Sequence, residues 1–253
     1  MEPLIKVREL YKIYQIGENR VYALNGVSFD IYPGEFIAIV GTSGSGKSTC
    51  LNMLAGLEKP SRGKIEIGGK HIEEMNEAQL VRFRRLNVGF IFQSYNLLNT
   101  MNAQENVAMP LMFRGVSQEE RRRRGMEALR QMGIADQAEH MPNQMSGGQQ
   151  QRVGIARALV IDPKIIFADE PTGNLDSHTT EEVLQLLQRI VAEEGKTLIM
   201  VTHDPQIASW ADRQIRVVDG KVVETVIRED SAVEQRIQAA QGQPPFCVVE
   251  KPD

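Results

Sequence analysis

The sequence predicts an α/β protein whose sheet is mostly parallel, and three observations support this class. Short apolar segments that read as buried strands are separated by helical patterns; these segments are 35–40, 88–92, 164–169 and 197–201. Two longer segments near the N-terminus, 4–14 and 23–31, alternate apolar and polar residues and predict an antiparallel β layer. A glycine-rich loop joins the first buried strand to a predicted helix at 49–55. Strands that alternate with helices build a parallel sheet, and its carboxyl edge binds ligands.

The composition is that of an ordinary globular chain. Its 253 residues are 42% hydrophobic and 25% charged, and the formal net charge of −4 disfavours direct binding of nucleic acid. The spacing of its two cysteines, Cys50 and Cys247, indicates neither a disulfide framework nor a metal site. No segment reaches the roughly 18 apolar residues of a membrane span, and the N-terminus lacks a signal-peptide pattern. We therefore expect any membrane role to depend on a partner protein.

The segment at 41–48, GTSGSGKS, matches the pattern G-x-x-x-x-G-K-[ST] at each fixed position. Its glycines let backbone N–H groups approach a phosphate chain, and the helix that follows points its positive end at the same place. Lys47 supplies a cation for the outer phosphates, and the Ser48 hydroxyl is a suitable ligand for Mg²⁺. The nucleotide contacts predicted here are Gly41, Ser43, Gly44, Ser45, Gly46, Lys47, Ser48 and Thr49. The chain is therefore expected to bind a nucleoside triphosphate.

The segment at 145–152, MSGGQQQR, predicts a second anion site. Ser146, Gly147 and Gly148 offer a hydroxyl and two unobstructed backbone N–H groups at the start of a predicted helix over 147–160. The loop at 41–48 already surrounds the phosphates of one nucleotide. We therefore expect the second site to serve a nucleotide that another copy of the chain holds.

Six segments resemble, in order, the motifs of the ATP-binding subunit of ABC transporters, over about residues 4–226. They are GTSGSGKS at 41, Gln93 after a strand, MSGGQ at 145, IIFADE at 165, GNLD at 173 and His203 after a strand. The third begins with Met145 where Leu is more usual, a change that should preserve apolar packing. The helical stretch at about 95–158 predicts an inserted subdomain, and the resemblance implies a P-loop NTPase core of the RecA type. It also implies a head-to-tail homodimer that encloses two ATP molecules.

The resemblance assigns three side chains to hydrolysis. Glu170 would act as general base toward the attacking water, Gln93 would orient this water and sense the γ-phosphate, and His203 would contact the γ-phosphate. By the same resemblance the Mg²⁺ ligands are Ser48, Gln93 and Asp169. Without the resemblance, Glu170 reads as a surface carboxylate, and Gln93 and His203 read as ordinary surface or structural residues.

Further nucleotide contacts are implied outside the glycine-rich loop. Tyr14 resembles the adenine-stacking aromatic residue of the family, although Tyr11 and Tyr22 compete for that role. The GNLD segment resembles the loop that couples the two sites of the dimer. The remaining contacts implied by the resemblance are Gln93, Ser146, Gly147, Gly148, Gln149 and Asp176.

Within ABC transporters, the segments 89–115 and 167–183 are similar to the LolD/MacB-like branch of lipoprotein-releasing and macrolide-exporting ATPases. The implied function is ATP hydrolysis that drives an integral membrane permease to export or extract a lipoprotein, peptide or drug-like substrate. The implied location is the cytoplasmic face of the cell membrane. The alternative is a non-transport ATPase of the family, which acts mechanically on cell-division or envelope partners or is linked to nucleic acid.

Three segments keep open interpretations. Residues 94–115, apolar and irregular, are either a partner-facing surface or core packing of the helical subdomain. The run Arg121–Arg124 is either a solvated helix face or a patch that meets acidic lipid or a partner. Beyond an ATPase domain at 1–228, the polar segment 229–253 predicts a flexible tail with no assigned function.

Serine residues predict where two helices begin. Ser117 is a favourable N-cap for a helix over 117–132, and Ser177 for a helix over 177–192. Acidic residues close to each start favour its positive end.

Overall fold

The computed structural model describes residues 2–228, and the tail predicted at 229–253 lies outside them. The strands of the described part are β1 Ile5–Ile16, β2 Asn19–Ile31, β3 Phe36–Val40, β4 Arg62–Ile67, β5 Lys70–His71, β6 Val88–Phe92, β7 Ile165–Asp169, β8 Thr197–Thr202, β9 Arg213–Val218 and β10 Lys221–Ile227. Its α-helices are α1 Lys47–Leu54, α2 Glu77–Asn87, α3 Ala103–Met112, α4 Gln118–Gln131, α5 Gly147–Leu159, α6 Ser177–Glu194 and α7 Pro205–Ala208. Within this described part, no helix combines the length and the apolar character that a membrane crossing requires.

The described residues form two compact units. The first contains the chain up to Leu80 and from Ile190 onward, and it holds the glycine-rich loop. The second is Val81–Arg189, and it holds the segment that begins at Met145. The helical subdomain at 95–158 and the ATPase domain at 1–228 stay predictions.

The first unit contains the antiparallel layer that the N-terminal alternation predicts. Its strands lie in the order β2-β1-β4-β5, and each neighbouring pair is antiparallel. The apolar positions Ile5, Val7 and Leu10 of β1 are fully buried. Both strands are longer than predicted, because Gly17, at a φ of 61°, makes a tight turn that lets Ile16 pair with Asn19.

Parallel pairing dominates the remaining strands and confirms the predicted class. In the first unit β3 lies between β8 and β9 and is parallel to both, while β10 pairs antiparallel with β9. In the second unit β6 and β7 are parallel. All six residues of β8 are buried, as expected for a strand that is covered on both faces.

A buried ion pair fixes the entry to β3. Arg213, the first residue of β9, donates Nε to Glu35 Oε1 over 2.7 Å and Nη2 to Oε2 over 2.9 Å. The Arg213 and Glu35 side chains are 1% and 0% exposed, and the Tyr32 N–H donates to the same carboxylate over 2.8 Å. Burial of an ion pair requires such complete hydrogen bonding. No local pattern in the sequence predicts this pair, whose members are 178 residues apart.

The prediction that 94–115 is irregular is wrong for its second half, where α3 spans Ala103–Met112. Asn102 begins this helix with a capping box, in which its side chain accepts from the Glu105 N–H and Glu105 accepts from the Asn102 N–H. Pro110 lies inside the helix. It obscured the pattern, because proline in a helix interior removes a hydrogen bond and usually ends the helix.

The predicted helix starts are confirmed in one case and corrected in the other. Ser117 is the N-cap of α4 and accepts from the Glu120 N–H over 3.4 Å. The helix predicted at 177–192 is capped by Asp176 and not by Ser177, since the Thr179 N–H donates to Asp176 Oδ1 over 3.0 Å. The hydrogen bonds from Thr179 lower the pKa of Asp176.

Candidate functional site

The glycine-rich loop begins where the buried strand β3 ends, and α1 begins within it at Lys47. Gly44 and Gly46 have φ values of 79° and 101°, in the region that disfavours side chains. A Cβ atom on Gly46 would lie 2.1 Å from the Ala23 carbonyl oxygen, and one on Gly41 would lie 2.2 Å from the Val217 carbonyl oxygen. These glycines are therefore required by the loop's own packing as well as by the approach of a phosphate.

The start of α1 has the features of a phosphate site. Among the described residues, no side chain caps the helix at Gly46, and the buried Ser45 hydroxyl has no hydrogen-bond partner. Lys47, 6% exposed, donates Nζ to the Thr42 carbonyl over 2.9 Å, so its ammonium lies across the loop. Uncapped N–H groups, an unpaired hydroxyl and an adjacent cation fit the phosphates of a nucleotide.

His203 leaves the sheet at the same edge as the loop. Val40, the last residue of β3, pairs with Thr202, the last residue of β8. The next residues, Gly41 and His203, therefore follow neighbouring parallel strands at their carboxyl ends. This is the edge at which parallel sheets bind ligands.

Tyr14 lies beside the helix that follows the loop. Its hydroxyl donates to the Glu58 carboxylate over 2.8 Å, and the side chain of Thr49 in α1 also contacts it. Burial, reinforced by Glu58, raises the pKa of Tyr14. The rival Tyr11 places its hydroxyl 2.9 Å from the Cβ position of Gly26, and Tyr22 is 47% exposed. The adenine-stacking role of Tyr14 stays a prediction.

In the second unit, Gln93 and Glu170 follow neighbouring strands at the same level. Phe92 pairs with Asp169 at the carboxyl ends of β6 and β7, and Gln93 and Glu170 are the next residues. Glu170 has a φ of 46°, and its carbonyl accepts from the Gly173 N–H over 3.0 Å. A left-handed conformation at a residue other than glycine is costly and occurs often at functional sites.

The GNLD segment packs directly on Gln93. Asn174 Nδ2 donates to the Gln93 carbonyl over 3.0 Å. A Cβ atom on Gly173 would lie 2.8 Å from Gln93 Nε2, so only glycine fits there without displacing the amide. The structure thus places together two segments that are separate motifs in the sequence.

Ser146 begins α5 as its N-cap. Its hydroxyl accepts from the Gln149 N–H over 3.3 Å, and Gln149 Oε1 accepts from the Ser146 N–H over 2.8 Å. Ser146 is exposed, whereas Met145 is 7% exposed and packs as the apolar residue expected at this position. The α5 N-terminus therefore presents the serine to solvent, and the two glycines that follow are half-buried.

Three residues of the second unit contact predicted site segments although the sequence analysis did not select them. Gln151 Nε2 donates to the Pro171 carbonyl over 2.5 Å. Arg157 donates to the carbonyls of Tyr95 and Asn96, and the Tyr95 hydroxyl donates to the Asn174 carbonyl over 3.4 Å. Gln151 and Arg157 are buried polar residues in the interior of α5. Their burial could not be predicted from the sequence, because polar residues in a helix normally indicate its solvent face.

A buried strand, a glycine loop with an uncapped helix and a lysine across the loop define a P-loop nucleoside triphosphatase. The family model for ABC transporters matches residues 24–173, more than half of the chain. An uncharacterized ABC transporter ATP-binding protein of Thermotoga maritima is 47% identical over 222 residues, which are 88% of this chain and 94% of that protein. The chain belongs to the ABC transporter family, and it is an ATP-binding ATPase of that family.

Two further similarities refine this result. The macrolide export ATP-binding/permease protein MacB of Syntrophobacter fumaroxidans is 47% identical over 221 residues, which are 87% of this chain and 31% of that protein. The chain thus spans about a third of that relative. The dimeric post-hydrolysis structure of the ATP-binding cassette MJ0796 bound to ADP and Pi has a TM-score of 0.82 and 44% identity, covering 87% of this chain and 97% of that chain.

Proposed function

We propose that two copies of this chain enclose two ATP molecules head to tail, each glycine-rich loop facing the Ser146 segment of the other copy. The observation that carries this proposal is the exposed serine at the start of α5. Ser146 is exposed there and is followed by two glycines. The dimeric state of the similar MJ0796 cassette, which is bound to ADP and Pi, supports a dimer of this chain.

Within this proposal, each predicted site residue keeps its role. Glu170 polarises the attacking water, Gln93 orients it, and His203 contacts the γ-phosphate. Bound Mg²⁺ would neutralise the charge that develops on the phosphates. Its proposed ligands are oxygen donors, which this ion prefers: Ser48, Gln93 and Asp169.

We further propose that ATP closure drives a membrane permease, with the chain held at the cytoplasmic face of the membrane through this partner. The proposed cargo is a lipoprotein, a peptide or a drug-like molecule. The similarity to a macrolide export ATP-binding/permease protein favours export.

A groove in the second unit is the proposed permease site. Its volume is about 570 Å³, and its walls come from α2, β6, α3 and α5. Apolar side chains line it, and Phe113 is 65% exposed. Arg84 and Arg85 are also among its lining residues. An apolar partner segment that carries an acidic residue fits this chemistry. The proposal favours the partner-facing interpretation of 94–115.

The variant Glu170→Gln tests the proposed function. It keeps the shape of the side chain and removes the base, so hydrolysis should fall by about 10²–10⁴-fold while ATP binding persists. Since the ATP is no longer consumed, an ATP-dependent dimer should accumulate in sedimentation velocity. Undiminished turnover would remove Glu170 from its role, and a species that stays monomeric with bound ATP would contradict the dimer.

A further inference from the structure

A buried arginine near the end of α5 holds the backbone that follows Gln93. Arg157 is 7% exposed; it donates Nη1 to the Asn96 carbonyl over 2.5 Å and Nη2 to the Tyr95 carbonyl over 2.7 Å. Within residues 2–228 it forms no ion pair with a carboxylate, and burial lowers its pKa. Burial of an unpaired cation costs free energy. The contribution of Arg157 is therefore the pair of N–H donors that its planar guanidinium directs at two neighbouring acceptors.

The two carbonyl groups belong to a strained turn. Tyr95 and Asn96 have φ values of 59° and 49°, and the left-handed region is unfavourable for a tyrosine in particular. Such conformations persist only where the surrounding structure fixes them. Arg157 contacts both carbonyl oxygens, and it therefore stabilises this conformation directly.

The same turn touches the other predicted site segments of the second unit. The Tyr95 hydroxyl donates to the Asn174 carbonyl over 3.4 Å and lies 2.8 Å from the position of a Cβ atom on Gly147. Asn174 in turn donates Nδ2 to the Gln93 carbonyl over 3.0 Å. A change in the turn would therefore reach both Gln93 and the start of α5.

We propose that Arg157 is a positioning residue for ATP hydrolysis, which sets the orientation of Gln93 by holding the left-handed turn at 95–96. Arg157 lies 11 residues after Ser146 on α5, roughly 16 Å along the helix axis. It also lines the proposed permease groove. The helix α5 thus has Ser146 at its start and, near its end, the arginine that positions Gln93. A partner bound in the groove would contact the same arginine, Arg157. The inference rests on the role proposed for Gln93.

The test is a double-mutant cycle on the purified full chain, with kcat and KM measured for ATP. Arg157→Lys keeps the charge but lacks the paired donors, so kcat should fall by about tenfold while KM changes by less than about threefold. Because Arg157 acts through Gln93, the double variant Arg157→Lys/Gln93→Ala should hydrolyse ATP no more slowly than Gln93→Ala alone.

Arg124→Lys is the matched control. Arg124 is half-buried in the second unit and, like Arg157, donates to a backbone carbonyl: its Nη2 donates to that of Val160 over 2.7 Å. Its bond does not involve the 95–96 turn, so Arg124→Lys should keep the wild-type kcat. If Arg157→Lys does not fold, Asn96→Pro perturbs the turn directly, since proline cannot adopt a φ of 49°. It should show the same loss of kcat, with no further loss when Gln93→Ala is added.

The outcomes separate the two proposals. A wild-type kcat in Arg157→Lys, or a loss that adds to that of Gln93→Ala, would overturn the positioning role and leave the proposed function intact. For Asn96→Pro, a wild-type kcat or a loss that adds to that of Gln93→Ala would likewise overturn the positioning role. Wild-type hydrolysis by Gln93→Ala would overturn the role proposed for Gln93, and the positioning role would fall with it.

Discussion

At the scale of single residues, the glycine-rich loop meets two demands at once. The sequence motif predicts its glycines from the approach of phosphate. The structure adds that Gly46 packs on the Ala23 carbonyl and Gly41 on the Val217 carbonyl. These contacts join segments far apart in the chain, and no local pattern could have predicted them.

Lys47 offers the most direct residue-scale prediction. Lys47→Ala removes the ammonium that lies across the loop, so ATP affinity should fall at least about tenfold, which corresponds to about 1.4 kcal/mol. Titration calorimetry measures this affinity when ATP is added to the Lys47→Ala/Glu170→Gln double variant, in which Glu170→Gln prevents hydrolysis. The exposed Lys64, changed to Ala in the same background, serves as the control and should bind ATP normally. Equal affinity in both variants would contradict the phosphate role of Lys47.

Charged and polar residues inside the fold mark the limit of sequence reasoning at this scale. Glu35, Gln151 and Arg157 are buried, and each is explained by hydrogen bonds to partners distant in sequence. A sequence pattern assigns such residues to the surface, because burial without those partners would be costly. By contrast, the sequence predicts where Asp169 and Glu170 lie, since Asp169 ends a recognisable apolar strand and Glu170 follows it. Their roles come from the resemblance to the family.

At the scale of elements, the strands were easier to predict than α3. Apolar runs and alternation identified β3, β7 and β8 to within two residues. The helix α3 was missed because its cap at Asn102 and its internal Pro110 give opposite signals. That helix also supplies part of the groove wall, so the missed element belongs to the surface proposed for the partner.

The groove leads to an element-scale prediction. Phe113→Asp places a charge on its apolar, 65% exposed wall residue and should abolish copurification of the permease from detergent-solubilised membranes. ATP hydrolysis by the isolated chain should be unchanged. Val223→Asp, at a 57% exposed position of β10, is the matched control and should retain the permease. If the permease copurifies with both variants, it does not bind in this groove.

At the scale of the whole molecule, the alternation of strands and helices predicted the class correctly. It did not predict the contact that joins the starts of β3 and β9. The buried ion pair of Glu35 and Arg213 makes this contact. Long-range ion pairs leave no periodic signal in a sequence, so only the folded structure shows them.

Arg213→Met should destabilise the fold by about 3–5 kcal/mol, because it leaves the buried Glu35 carboxylate unpaired. Burial raises the pKa of Glu35, and the loss of Arg213 removes the opposing charge. The penalty relative to the wild type should therefore be smallest at low pH, where Glu35 is protonated in both folded proteins, and should grow as the pH rises through the raised pKa of Glu35 in the wild type. Urea unfolding of both proteins across this range measures it. A penalty independent of pH would contradict an unpaired carboxylate as the cause.

The central claim is that each ATP site takes its glycine-rich loop from one copy and its serine from the other. Mixing Lys47→Ala with Ser146→Arg tests it directly, since each variant alone has no complete site. If the sites form between copies, half of the randomly assorted dimers regain one site, and the mixture should recover about a quarter of the wild-type ATPase rate. If the mixture stays as inactive as the separate variants while mixed dimers are shown to form, the sites do not form between copies and the account is contradicted.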